Sequence, residues 1–177
     1  MEKEKLVITK DNAHDYFGWF DSVQELIEKG KIDNTFGRGL TYTDNEGIEW
    51  HSRPHLNKDG KLTVRALITS WEGVVANASH YYAQLIVQPH WTNEDETVIS
   101  YNPRAPKLPE INMSLGYPLT AEELKDKDTD DPYSDWYGYE VGGFSGRFPS
   151  REKCMEVVNA VFNFLFDTEK CELFIDE

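Results

Sequence analysis

The sequence predicts an α+β fold: an antiparallel β-sheet of about five to seven strands, with a short N-terminal helix and a long C-terminal helix packed on one face. Two observations predict it. Residues 40–101 carry a run of strand patterns separated by turn residues, and residues 150–166 carry apolar side chains at helical spacing. A third, the 39% hydrophobic and 13% aromatic content of the 177-residue chain, supplies apolar material for a core and argues against wholesale disorder.

The elements follow in order. Leu6 to Thr9 reads as a short strand, and an aromatic cluster of Tyr16, Phe17, Trp19 and Phe20 comes after it. Asp21 to Gly30 reads as a short helix. Asp21 or Ser22 caps its first turn, Val23, Leu26 and Ile27 form one stripe, and Gly30 closes it. Leu40 to Thr43 and Ile48 to His51 flank the hairpin turn Asp44-Asn-Glu-Gly47, and Asn57-Lys-Asp-Gly60 is a second turn. Leu62–Trp71 and Tyr81–Gln88 are long strands, the second with one apolar and one mixed face. Thr97–Tyr101 is a further strand. Pro103, Pro106, Pro109 and Pro118 then mark an extended connector, because proline cannot donate to a ladder.

Thr120 and Glu123 form a capping box that starts a short helix at Leu119. Pro149-Ser150 opens the last helix, which runs to about Phe166 with Cys154, Val158, Val161 and Leu165 on one stripe, widened by Met155 and Phe162. Cys171 to Ile175 is a terminal strand. There is no internal repeat, so the chain is expected to be one domain over residues 1–177, with a proline-rich connector and acidic loop at 103–135 inside it.

Charge is the most distinctive property. Against 18 Lys and Arg stand 32 Asp and Glu, a formal net charge of −14. Such a field repels nucleic acid and acidic membranes and speeds association with basic partners. The arginines are scattered, with no basic stripe to neutralise phosphates, so direct nucleic-acid binding is not expected. Met1-Glu-Lys-Glu-Lys leads into only a short apolar run, and no stretch approaches the roughly 18 residues of a membrane span. Cytoplasm is the expected compartment, with Cys154 and Cys171 as reduced packing thiols.

No catalytic or cofactor signature stands out. There is no nucleophile elbow, P-loop or dinucleotide fingerprint. His51 and His55 have the spacing of helical metal ligands, but Pro54 between them breaks a helix. His80 and His90 read as packing residues at strand ends. Asp126, Asp128 and Asp130 occupy the first, third and fifth positions of a calcium loop. Asp131 then stands where glycine must turn, and Tyr137 where a bidentate Glu belongs. No metal and no cofactor are expected.

The acidic stretch reads better as a contact surface. From Glu110 to Glu140 there are nine acids and two lysines, a net of −7. Glu122, Glu123, Asp126, Asp128, Asp130, Asp131 and Asp135 supply charge that steers a basic partner, and Tyr133, Trp136 and Tyr137 supply anchors.

The chain's last 28 residues add a resemblance. Ser150-Arg-Glu-Lys-Cys-Met-Glu156, then Phe162 and Phe164, then Glu172-Leu-Phe-Ile175 are similar to the C-terminal end of Imm1-type immunity proteins of bacterial toxin systems. Those are small acidic α+β inhibitors closing with a helix and a strand. The chain lacks that family's Gly-x-x-Pro turn after the helix and its closing Trp, and no functional residue is carried over.

The expectation is a non-enzymatic acidic protein that occludes a basic target, such as a bacterial toxin, a nuclease or another nucleic-acid-binding protein. Three alternatives stay open. One is a phage or plasmid anti-defence protein, of the anti-restriction or anti-CRISPR kind, whose carboxylates mimic DNA. Another is an enzyme or small-ligand binder with a pocket lined by Trp50, Trp71, Tyr81 and Trp91. The last is a component of a larger assembly, marked by a long exposed sheet edge. The sequence leaves the oligomeric state open.

Overall fold

The computed structural model of the chain describes residues 5–16, 28–72, 79–97, 99–100, 111–118, 144–145, 148 and 150–176. Ten strands and one α-helix are built from them. Strands β1 (Thr41–Thr43), β2 (Glu49–Arg53), β5 (His90–Asn93) and β6 (Ile99–Ser100) form an antiparallel sheet in the order β1-β2-β5-β6. A larger sheet has the order β10-β3-β4-β7, made of β10 (Cys171–Asp176), β3 (Leu62–Glu72), β4 (Ser79–Val87) and β7 (Ile111–Leu115). Strands β8 (Tyr117–Pro118) and β9 (Phe144–Ser145) pair separately. Helix α1 spans Arg151–Leu165.

This corrects the expected architecture. The described structure is mostly β, with two four-stranded sheets instead of one antiparallel sheet. The split has a local cause. Arg53↔His90 closes the pairing of β2 with β5, and Arg65↔Ile86 opens that of β3 with β4. Between those registers lie Pro54, after β2, and Pro89, before β5, both buried. A proline has no N–H for a ladder, so the strands change partners there. The larger sheet is also mixed, because β10 lies parallel to β3. Local alternation fixes a strand's faces but says nothing of its direction.

The helical part is corrected as well. One complete α-helix lies within the described residues, and its 15 residues are an ordinary length, not a long one. No N-terminal helix is among the described elements. The stretch expected to form it, 21–30, lies outside the described residues except for 28–30, of which 28 and 29 are helical. The helix expected from Leu119 also lies outside them. Leu6 to Thr9 forms no strand; it leads into a 3-10 turn at Ala13–Asp15, with Asn12 Oδ1 accepting the Thr9 N–H at 2.7 Å. The expected proline-rich connector contains β7 and β8, and β7 fits between Pro109 and Pro118.

The core forms on one face of the larger sheet. Leu62, Val64, Ala66 and Ile68 alternate inward along β3, and the residues between them face out. The register extends those rows across the sheet. Ala66 is opposite Leu85, which is opposite Met113; Ile68 is opposite Ala83, which is opposite Leu115. Cys154, Val157, Val158, Val161 and Leu165 of α1 join the same buried cluster. Ser150 caps the helix, its Oγ accepting the Lys153 N–H at 3.1 Å.

At the other end of α1 the stacked rings of Phe162 and Phe166 lie 5.6 Å apart. Residues 31–33 strap this end, with the Ile32 N–H donating to Leu165 O and the Asp167 N–H to Ile32 O, both at 2.8 Å. Cys171 is buried beside the strap, its thiol donating to Ile32 O at 3.4 Å. Burial, and then the charge of Asp167, push that thiol up to about 11.

Leu85→Ala should cost about 2–5 kcal/mol in urea unfolding, while Thr63→Ala on the opposite face should stay within about 0.5 kcal/mol. Both cysteines are buried, so a thiol reagent at neutral pH should label neither until the chain is unfolded. Labelling of the native chain at the rate of a free thiol would contradict this packing.

Candidate partner-binding surface

The residues expected to meet a partner, Glu122, Glu123, Asp126, Asp128, Asp130, Asp131, Tyr133, Asp135, Trp136 and Tyr137, lie outside the described residues. Within the described ones, the smaller sheet gathers a second acidic surface that sequence reading did not single out. The register Trp50↔Asn93 brings the start of β2 beside the end of β5. The β1–β2 turn at 44–48 and the β5–β6 turn at 94–97 therefore sit side by side. Asp44, Glu46 and Glu49 come from one turn and its exit, and Glu94, Asp95 and Glu96 from the other.

Each turn is held by a side chain that satisfies its main chain. Asp44 Oδ1 accepts the N–H groups of Glu46 and Ile48, both at 2.9 Å, and its Oδ2 accepts Trp50 Nε1 at 3.1 Å. That indole bond first, and then the Ile48 N–H, hold the Asp44 carboxyl below its usual range. Gly47, at φ +83°, supplies the left-handed residue that this turn needs. In the second turn Asn93 Oδ1 accepts the Thr97 N–H at 2.8 Å, and its amide donates to Thr97 Oγ1 at 2.9 Å. Glu96 takes φ 55° there, a strained choice for a residue with a Cβ.

The six acids do not have equal parts. Asp44 builds its own hairpin. Glu49 lies 3.4 Å from His51 Nε2, and Glu96 lies 3.7 Å from Arg53. Glu46, Glu94 and Asp95 are exposed, and no described side chain pairs with their carboxylates. Large apolar side chains stand among them: Ile48 in the first turn is 39% exposed, and Ile99, opposite Thr92 on β6, is 58% exposed. Charge to steer a basic partner and apolar surface to hold it are thus present together. The two acidic turns are far apart in sequence, so only the register reveals them as one surface.

The histidines fall differently from their spacing. His51 sits in β2 against Glu49, whereas His55 lies beyond Pro54, and its ring meets His90 edge-on at 5.9 Å. Burial, then His55, then Arg53 lower the pKa of His90. Thr92, across the ladder from His51, is buried, and its hydroxyl has no hydrogen-bond partner among the described residues.

Trp50 and Trp91 are buried, at 8% and 1% exposure. A pocket of about 170 Å³ lies elsewhere, between residues 5–8 and α1, lined by Lys5, Ile8, Ala160 and Phe164 among others. No family model, curated protein or solved structure matches the chain.

A histidine whose folded pKa lies below its unfolded value withholds a proton that the unfolded chain takes up. Stability carried by His90 is therefore complete above about pH 6.5 and declines as pH falls from there toward its lowered value. Unfolding midpoints measured between about pH 7 and pH 5 should drop, and His90→Gln should flatten that slope. Thr92→Val, which removes an unpartnered buried hydroxyl, should leave stability unchanged or raise it by up to about 1 kcal/mol.

Proposed function

We propose that the chain is a non-enzymatic acidic binding protein that inhibits a basic protein, such as a bacterial toxin or nuclease, by covering its active or nucleic-acid-binding cleft. The observation that carries this reading is the arrangement of charge. Half of the net −14 falls in sequence within Glu110–Glu140, and the acidic turns at 44–48 and 94–97 converge beside exposed Ile48 and Ile99. Opposite charge raises encounter rates, while buried apolar anchors set the lifetime of the complex. The C-terminal likeness to Imm1-type immunity proteins supports the same reading. Among the described residues no helix is long and apolar enough to cross a membrane.

Capture from lysate with the immobilised chain should retain basic proteins at low ionic strength and release them at about 0.5 M salt, where screening acts within a few ångströms. Retained proteins that are neutral or acidic, or retention indifferent to salt, would overturn the reading. Two variant sets divide the surface: Asp128→Asn, Asp130→Asn and Asp131→Asn with Trp136→Ala, and Glu46→Lys with Glu94→Lys. The set at the true interface should weaken binding of the purified partner by about tenfold or more. Displacement of a captured nuclease from DNA would assign the inhibited cleft.

A further inference from the structure

Among the described strands β10 is the last on its side of the larger sheet, and its main-chain hydrogen bonds can be assigned residue by residue. The Leu62 N–H donates to Lys170 O at 2.9 Å, within the parallel register Cys171↔Leu62. In a parallel ladder this fixes the parity: Glu172, Phe174 and Asp176 direct their N–H and C=O toward β3. The odd-numbered residues direct theirs away. Cys171 N–H is taken up by Asp167 O at 2.9 Å. That leaves Leu173 and Ile175 presenting two donors and two acceptors along the outer edge, and no described residue bonds to them.

The side chains flanking this edge have a definite chemistry. Leu173 and Ile175 are half-buried at the border of the core. On the opposite face stand Glu172, Phe174 and Asp176, and Phe174 is 55% exposed. Asn57 contacts Glu172, and Arg65 lies 3.8 Å from Asp176. Exposed edges of this kind are templates for another strand. A second copy is a poor occupant. Antiparallel self-pairing centred on Phe174 would set Glu172 opposite Asp176 of the copy, and each chain brings −14; like charges directly opposite are destabilising.

We propose that the outer edge of β10 receives a strand from a basic partner protein, paired through the main chain of Leu173 and Ile175. The strand's outward side chains are Lys or Arg against Glu172 and Asp176 with an apolar residue over Phe174, and its inward side chains are apolar and extend the core. Main-chain pairing supplies affinity, and the alternation supplies selectivity. This surface differs from the acidic turns. Strand β2 begins at those turns and leads away through Pro54 to Asn57, the residue touching Glu172. It shares the proposed partner's charge but not its contact residues.

The test follows amide exchange of the isotopically labelled full-length chain, alone and with a synthetic six-residue Lys/Val peptide, Lys-Val-Leu-Val-Lys-Val, whose one face carries Lys, Leu and Lys and whose other face is Val. In the free chain Leu173 and Ile175 should exchange quickly, and Phe174, bonded to β3, slowly. The Lys/Val peptide should slow Leu173 and Ile175 by about tenfold or more, an effect reduced by salt, and a Glu/Val peptide should not. Ile175→Pro removes an outward N–H without touching the ladder to β3. It should abolish the response while the Phe174 amide still exchanges slowly, and Phe174→Thr should weaken the response. Protection of both amides in the dilute free chain would overturn the proposal by showing the edge already covered. Protection that grows with chain concentration would overturn it in favour of a second copy, and an equal response to the Glu/Val peptide would remove its electrostatic basis. Glu46→Lys with Glu94→Lys should leave the peptide response intact, so failure of the acidic turns as a binding surface reads out separately.

Discussion

The larger sheet depends on covering one row of side chains, Leu62, Val64, Ala66 and Ile68 of β3, all buried. That row cannot be covered by β3 and β4 alone, since a two-stranded ribbon leaves its apolar face in water. Strand β7 widens it on one side, β10 on the other, and α1 contributes Val157, Val158, Val161 and Leu165 to the same cluster. The Ser150 cap and the Ile32 strap serve that burial by setting where α1 begins and how its end leads into β10. The two sheets are separated where Pro54 and Pro89 interrupt the ladder, so the smaller sheet holds its turns at a distance from the core.

That separation bears on the electrostatics. The larger sheet uses its charges sparingly, as in Arg65 with Asp176 on its outer face. The smaller sheet ends in two turns whose acids divide by their partners. Asp44 is consumed by hydrogen bonds within its hairpin, whereas no described group pairs with the carboxylates of Glu46, Glu94 and Asp95. A structural acid keeps its charge because local donors stabilise it. Ionised acids of both kinds add to the field that steers a partner, but only one not held within the fold can turn to meet that partner directly. The distinction rests on hydrogen bonds and not on composition.

The sequence carried the local part of this description. The hairpin around Asp44 to Gly47, strands β3, β4 and β10 and the helix opened by Ser150 follow from alternation, turn residues and capping, all of which act over a few neighbours. Strand β5 was hidden because His90 to Asn93 has no alternation; both Trp91 and Thr92 are buried. Strand β7 was hidden by its flanking prolines. The change of pairing at Pro54 and Pro89 and the parallel entry of β10 depend on which strands meet, and no local pattern encodes that. The same reason concealed the acidic turns as a joint surface: residues 44–49 and 94–96 are neighbours only through Trp50↔Asn93.

An outer edge such as that of β10 is ordinarily a hazard, since unpaired main-chain groups beside an exposed Phe174 invite association with identical chains. Folded proteins blunt such edges with charge, and here charge acts at two ranges. Locally, Glu172 and Asp176 bracket Phe174 on one face of the strand. Globally, a net −14 makes every encounter between two copies repulsive. Neither effect blocks the hydrogen-bonding groups themselves, because acidic side chains leave the main chain of Leu173 and Ile175 accessible where a proline would have removed it. An edge guarded by charge alone excludes only chains of the same sign, and so remains selective for a strand of the opposite one.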